Sequence, residues 1–297
     1  PDEYEKYIVS ITGGDWKVHL LDSVTTLIDK NDFSFVKEGR KTTFDFAYIT
    51  IHGTPGENGI LQGYFNLIGM PFSCCDVLAS ALTFDKYVCN QFLRNFDIAV
   101  APSVVLRHRQ TISNADIVEK LGLPLFVKPS AGGSSFGITK VKEAEQLSPA
   151  IEKAFKESDE VVVESFVAGT EVTCGMYKTR SKTVVLPVTE VVSKNEFFDY
   201  DAKYNGQVEE ITPARIANET ARRVAEHTAY IYDLLGCNGI IRIDYILTKE
   251  ADGTDKINLI EVNTTPGMTP TSFIPQQVRA AGLEMKDVLS DIVENQF

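Results

Sequence analysis

The sequence predicts an α/β (α+β) protein, and three observations carry that expectation. Strand-like apolar runs alternate with stretches of helical periodicity, without any internal repeat. Glycine- and proline-rich clusters such as HGTPGENG and AGGSSFG punctuate the runs. The 297 residues are 43% hydrophobic and 24% charged, the balance of a globular chain long enough to bury two or three cores.

Residues 44–51 (FDFAYITI) predict a buried strand that runs into the loop HGTPGENG. Asp76 is a good N-cap, and residues 76–96 predict one helix with Leu78, Leu82, Tyr87, Phe92 and Phe96 as its buried stripe. Residues 123–128 predict a short strand ending in Lys-Pro-Ser, followed by the AGGSSFG loop and a second strand-like run, ITKV. Residues 143–157 predict an amphipathic helix, and 161–167 a buried strand kinked by Glu164 and Ser165. The clearest helix is expected to open at Thr212-Pro213, with Thr as N-cap and Pro at the first helical position. Its stripe would be Ala217, Ala221, Val224, Thr228, Ile231 and Leu235, and Gly236 would stop it. Strands at 239–247 (GIIRIDYIL) and 257–262 (INLIEV), joined by the turn-rich KEADGTDK, predict an antiparallel hairpin. Domain boundaries are placed near residues 75 and 164, dividing the chain into 1–75, 76–163 and 164–297.

Charge and composition exclude several functions. No stretch approaches the roughly 20 apolar residues of a membrane helix, since even 44–51 is broken by Asp45 and Thr50. The opening PDEYEKY lacks the basic and apolar regions of a secretory signal. With 29 Lys+Arg against 41 Asp+Glu, the net charge of −12 has the wrong sign for neutralising a nucleic-acid backbone. It leaves room for a local basic pocket holding a small phosphorylated ligand. Cys74, Cys75, Cys89, Cys174 and Cys237 show no C-x-x-C spacing and read as reduced, buried thiols of a cytoplasmic protein, without the Cys/His cluster of a zinc site.

The strongest chemical signal lies on the last two strands. Arg242 and Asp244 are two apart, as are Glu261 and Asn263, so each pair shares one face of its strand. Charges inside such apolar runs need partners, and the oxygen donors Asp244, Glu261 and Asn263 suit Mg²⁺. The alternative is a surface ion pair on a half-exposed sheet; four polar groups converging from two strands favour a site. Lys128 precedes a glycine- and serine-rich loop whose backbone N–H groups and hydroxyls suit phosphate oxygens, although neither the G-x-x-x-x-G-K-S/T nor the G-x-G-x-x-G pattern is present. A hairpin tip is the alternative there. Glu164 to Val167 offers backbone groups beside an apolar wall for an adenine ring, or is an exposed strand kink. Lys203 and Tyr204, in FFDYDAKYNG, can reach a ligand from a loop. His52 alone reads as structural, and Ser134 and Ser135 lack the elbow or neighbouring His of a covalent serine mechanism.

Together the segments HGTPGENGILQG, ALTFDKYVCNQFL, LPLFVKPSAGGSSFGITKV, VVVESFVAGTEVT, FFDYDAKY, CNGIIRIDY and LIEVNTTPGMTPTSFIPQ resemble the ATP-grasp fold, and within it the D-alanine–D-alanine ligase family of peptidoglycan synthesis. The resemblance runs from about residue 44 to the end of the chain. It implies an ATP-grasp fold behind a Rossmann-like pre-ATP-grasp domain at 1–75, with a central lid domain at 76–163 and a C-terminal ATP-grasp domain at 164–297. It implies that Lys86 and Lys128 hold the α/β-phosphates, that the AGGSSFG loop with Ser134 and Ser135 closes over the transferring phosphate, that Glu164, Ser165, Phe166 and Val167 border the adenine, and that Glu171 binds the ribose. Asp244, Glu261 and Asn263 match magnesium ligands, with Mn²⁺ as an alternative ion; Arg242 and the Gly267 N–H match an oxyanion-stabilising pair. His52 and Ser134 match positions near the first D-alanine, while Lys203, Ser272 and Phe273 match positions around the second, Lys203 also serving ATP. Tyr204 matches a tyrosine bridging loop and site, a pattern that favours a dipeptide product. The family's early Gly-Gly-x-Ser-x-Glu loop has no counterpart, since ITGGDWKVHL lacks the Ser and Glu, so the first strand and its loop are expected to be missing.

The resemblance implies an ATP-dependent, cytoplasmic ligase that joins two D-alanines through an acyl phosphate and assembles as a homodimer. Another ATP-grasp carboxylate–amine ligase would differ around His52, Lys203, Tyr204 and Ser272. A nucleotide-binding protein without catalysis would bind ATP and release no ADP on adding D-alanine.

Overall fold

The computed structural model describes residues 3–20, 24–108, 112–132, 137–193 and 208–297. The first unit pairs β1 (Ile8–Thr12), β2 (Asp15–His19) and β3 (Thr25–Leu27) in an antiparallel sheet beside the small hairpin of β4 (Phe35–Lys37) and β5 (Arg40–Thr42). Helix α1 (Ile60–Ile68) supplies Leu61 and Phe65 to a core of aromatic rings that includes Phe33, Phe35 and Phe72. The expected strand at 44–51 is reduced to one parallel bridge between Ala47 and Phe72. The reason is a partner well along the chain: the Ile49 N–H donates to the Ser73 hydroxyl at 2.9 Å instead of a backbone carbonyl, which ends the ladder.

The helix expected at 76–96 is two helices, α2 (Val77–Phe84) and α3 (Lys86–Arg94). Asp76 caps the first, as its position predicts. Asp85 takes an extended backbone at the junction (φ −89, ψ 102) and caps the second through the Val88 N–H. The break shifts the buried face: Leu78 is 79% exposed, while Ala79, Cys89 and Leu93 are buried. Both helices pack against the core of the C-terminal sheet, joined there by Ile98.

The central unit is a four-stranded antiparallel sheet in the order β7-β10-β8-β9, built from β7 (Ser103–Arg107), β8 (Leu125–Pro129), β9 (Thr139–Val141) and β10 (Glu160–Ser165). Its apolar face, with Leu125, Val127, Val161 and Val163, packs on α4 (Asn114–Leu121) and α5 (Leu147–Ala154). The helix expected at 143–157 thus occupies 147–154, preceded by a tight turn at 144–146 whose Glu143 and Gln146 cap each other.

The third unit is a seven-stranded sheet whose path runs β14-β13-β11-β15-β16-β6, with β12 also on β11. Its strands are β6 (Ala99–Val100), β11 (Thr170–Lys178), β12 (Thr183–Val185), β13 (Thr189–Ser193), β14 (Val208–Ile211), β15 (Ile240–Lys249) and β16 (Asp255–Asn263). One face is covered by α6 (Asn218–Leu234), with Val224 and Ile231 fully buried against Val172, Ile241 and Tyr245. The other receives α7 (Phe273–Ala280) and α8 (Met285–Glu294) through Ile274, Val278, Val288 and Ile292.

Helix α6 begins six residues after Thr212, not at it. The Thr212 hydroxyl is bonded to that of Thr189 at 2.6 Å, and the Ala214 N–H donates to the Val188 carbonyl, so Thr212 and Ala214 are held to the sheet edge in an irregular segment before the helix starts. The predicted hairpin is present: β15 and β16 pair antiparallel, with Arg242 opposite Asn263 and Asp244 opposite Glu261. Among the described residues no helix is long and apolar enough to cross a membrane.

Candidate active site

Along β15, Ile241, Ile243 and Tyr245 are fully buried in the core, so Arg242 and Asp244 must emerge on the opposite face. There the Arg242 guanidinium holds Asp244 with two parallel bonds of 2.9 Å each. Asp244 also accepts from the Thr173 hydroxyl at 2.5 Å and from Asn263 Nδ2 at 3.0 Å. Burial alone would lower the Arg242 pKa; the Asp244 carboxylate, with Glu261 and Glu57 further off, more than offsets this and the net shift is upward. The Phe273 ring faces the guanidinium at 5.1 Å, a cation–π contact.

Gly175 lies opposite Arg242 on β11, and a side chain there would meet Ile274 and Gln277. The gap admits α7, anchored by the fully buried Gln277, which accepts from the Gly175 N–H and donates to Thr173 O and Thr189 Oγ1. That anchoring brings the start of the helix, Ser272 and Phe273, beside Arg242. Gly267 completes the corner, because a Cβ on it would sit 2.8 Å from Ser272 Oγ. Glu210 on β14 accepts from Gln276, which also donates to the Thr271 carbonyl at 2.7 Å; burial pushes the Glu210 carboxyl upward against the opposing effects of Gln276 and Arg242.

The central sheet contributes a second cluster. On the face opposite its apolar core, Lys128 bonds Glu164 at 2.5 Å, with side chains only 6% and 12% exposed. Phe126 lies beside them, its ring 5.8 Å from Phe166, and Lys140 caps the Phe166 ring at 4.0 Å. Ser165 is turned into the protein, its N–H donating to Pro102 O and its hydroxyl to Leu121 O. Lys86, first residue of α3, spans the two clusters: Nζ donates to Gly132 O at 2.6 Å and lies 3.6 Å from Glu261. Glu171 stands on β11 within the same sheet as Arg242.

His52 is exposed at the start of a loop pinned by the bond from the Gly53 N–H to Glu57 at 2.5 Å and by Gln62 on Gly56 O at 2.6 Å. Ser134, Ser135, Lys203 and Tyr204 lie outside the described residues. Among the described residues no three His, Cys, Asp or Glu side chains cluster for a metal. Asp244 and Glu261 with the Asn263 amide form an all-oxygen set of two carboxylates, which suits Mg²⁺ completed by water and phosphate oxygens. The five cysteines are free, and burial pushes the thiols of Cys74, Cys89 and Cys174 up to about 12, as expected of unreactive core residues.

Sequence reasoning missed Thr173, Gln277, Glu57, Phe126 and Lys140. Thr173 and Gln277 act through partners across the sheet and carry no local signal. Phe126 and Lys140 were readable, since each lies at strand alternation on the face of Lys128.

Residues 92–294 match the family described as D-ala D-ala ligase C-terminus. The D-alanine–D-alanine ligase of Bacteroides fragilis is 62% identical over 296 residues, covering 100% of this chain and 90% of the relative. The VanG D-Ala:D-Ser ligase of Enterococcus faecalis superposes with a TM-score of 0.86 at 32% identity, covering 100% of this chain and 91% of its own. The D-alanine–D-alanine ligase of Bacillus anthracis complexed with ATP superposes with a TM-score of 0.72 at 30% identity, over 85% of this chain and 79% of that one.

Proposed function

This chain belongs to the D-alanine–D-alanine ligase family, and from that premise we propose how its own residues carry out the reaction. The enzyme has the ATP-grasp fold and uses ATP to join two D-alanines through an acyl phosphate, making the dipeptide for peptidoglycan precursors. In the first step a carboxylate oxygen of one D-alanine takes the γ-phosphoryl group, releasing ADP. In the second, the amine of the other D-alanine attacks the acyl carbon and phosphate departs.

Lys86 and Lys128 neutralise the phosphate oxygens of ATP. Lys128 is suited to this because a single bond to Glu164 leaves it further N–H donors. Glu164, Phe166 and Val167 border the adenine, with the rings of Phe126 and Phe166 as its wall, and Glu171 takes the ribose; Ser165, whose N–H and hydroxyl are taken by Pro102 and Leu121, has only its carbonyl to offer. Asp244, Glu261 and Asn263 would hold Mg²⁺, or Mn²⁺ in its place, which when bound offsets charge on the transferring phosphoryl group. Arg242 keeps its remaining N–H groups for the oxyanion of the tetrahedral intermediate, together with the Gly267 N–H. His52 serves the first D-alanine. Ser272 and Phe273, at the start of α7, serve the carboxylate of the second, where unpaired helix N–H groups favour an anion. Ser134, Ser135, Lys203 and Tyr204 take their roles from the family resemblance alone. The setting is the cytoplasm, where ATP is available, and the assembly a homodimer.

The observation that carries this reading is the two-bond Arg242–Asp244 pair, joined by Asn263, on the strand next to the Glu261 that Lys86 approaches. ADP release with ATP and Mg²⁺, with and without D-alanine, tests it together with mass detection of the product. D-alanine-dependent release with D-alanyl-D-alanine formed is the expected result; ATP binding without release would reduce this chain to a nucleotide-binding form.

A further inference from the structure

Lys86 and Lys128 come from separate elements, the first residue of α3 and the fourth of β8, and neither element by itself sets the distance between them. One fully buried residue lies between the two. Ser130, two positions after Lys128, donates its N–H to Glu160 O at 2.8 Å, and its carbonyl accepts the Lys86 N–H at 2.9 Å. Its hydroxyl donates to Asp85 Oδ1 at 2.7 Å and accepts from the Tyr87 N–H at 3.4 Å. The same Asp85 oxygen accepts from the Val88 N–H at 2.9 Å, and an isolated antiparallel bridge joins Asp85 to Ala131. A helix cap alone would need only the Val88 bond. Here the cap is also tied to the strand that carries the second lysine, and Lys86 Nζ reaches back to Gly132 O at 2.6 Å.

We propose that Asp85 and Ser130 are positioning residues that form a joint setting the spacing of Lys86 and Lys128 for the phosphates of ATP. The inference rests on the reading of those lysines as the phosphate-binding pair. Two cations on a common ligand act together only at the correct separation, and small misplacements are costly. Without the Ser130 hydroxyl, Asp85 can still cap α3, but the helix is then tied to the strand end through backbone bonds and the flexible Lys86 side chain on Gly132 O, and the lysine spacing loosens.

The test is titration of Mg²⁺-ADP and of adenosine into the wild-type enzyme and the Ser130→Ala, Asp85→Ala, Asp85→Asn and Lys128→Ala variants, with steady-state kinetics alongside. Ser130→Ala is expected to raise the ADP Kd and the ATP KM about tenfold, the effect of one buried hydrogen bond to a charged group. The adenosine Kd and the D-alanine KM stay put, because the joint acts on phosphates. Asp85→Ala gives a larger loss, and Asp85→Asn recovers most of it, since the amide oxygen still accepts both bonds. A Ser130→Ala enzyme with unchanged ADP affinity, beside a Lys128→Ala enzyme that has lost it, overturns the joint alone. Equal weakening of ADP and adenosine also overturns it, leaving a general packing role. Unchanged ADP affinity in Lys128→Ala overturns the phosphate reading and the joint with it.

Discussion

Two buried ion pairs, one in each of the larger sheets, are surrounded very differently. Lys128 and Glu164 in the central sheet are 6% and 12% exposed and joined by one bond, while Arg242 and Asp244 in the C-terminal sheet are 13% and 12% exposed and joined by two. Around the second pair Thr173 and Asn263 each add a bond to Asp244, and the Phe273 ring faces the guanidinium. A lysine on a flexible stem with spare donors suits a ligand that must arrive and leave. A planar guanidinium locked by two bonds suits charge that develops only in the transition state and should meet donors already in place. On the roles proposed for the two pairs, the contrast between one bond and two is a contrast between binding and catalysis.

The largest expected effect breaks the locked pair. Arg242→Ala should lower kcat by about 10²–10³, the usual cost of one oxyanion donor. It should also cost about 3–5 kcal/mol of stability, because Asp244 is left buried without its cation. Turnover equal to wild type would remove Arg242 from the chemistry, and Arg242→Lys, which keeps the charge without the parallel bonds, should recover stability better than rate. Next comes the loose pair. Lys128→Ala should raise the ATP KM by about one to two orders of magnitude, the loss of a charge-assisted contact of about 1.5–3 kcal/mol, with kcat changed less. A rise of the same size in the D-alanine KM would erase the contrast between the two pairs.

Thr173→Val sharpens the comparison more gently. It removes one hydrogen bond to Asp244 while keeping the side-chain volume, so denaturant unfolding should show a loss of about 1–3 kcal/mol with the ATP KM unmoved. The smallest effect belongs to a pair exposed on one side, Glu190 with Arg215, in which the arginine side chain is 60% exposed. Hydrogen bonds from Arg215 hold the Glu190 carboxyl below its ordinary 4.5, with burial opposing. The folded-state value is depressed, so the pair's contribution is complete above pH 4.5 and fades as the pH falls through the lower folded value. Glu190→Gln should flatten that acid limb by no more than about 1 kcal/mol, given the solvent around Arg215. An unchanged limb in pH-dependent thermal unfolding would show that the pair contributes nothing.

Where periodicity and caps were the signal, the sequence was a good guide. The hairpin of β15 and β16, the Asp76 cap and the stripe Val224, Thr228 and Ile231 of α6 all stand where the pattern put them. Apart from the helix expected at 143–157, shortened at its start by the local Glu143–Gln146 cap, the misplacements at 44–51, 76–96 and 212 share a cause, namely a bond from a residue far along the chain. Ser73 ended the strand at 44–51, Ser130 holds the junction that splits 76–96, and Thr189 engaged the threonine that was to cap the helix at 212. In each case local preference was compatible with the expected element, and a distant hydrogen bond outweighed it.

By itself the sequence determined which faces carry charge, because alternation along a strand is set by backbone geometry and survives any packing. It also displayed the motifs of a ligase of D-alanine, since those are runs of residue types. Only the tertiary structure decided that Thr173 would lock Asp244, that Lys86 would lie beside Glu261, and that Asp85 would meet Ser130. Such contacts join side chains dozens of residues apart, and their distances come from how sheets and helices stack, not from the pattern of any one segment.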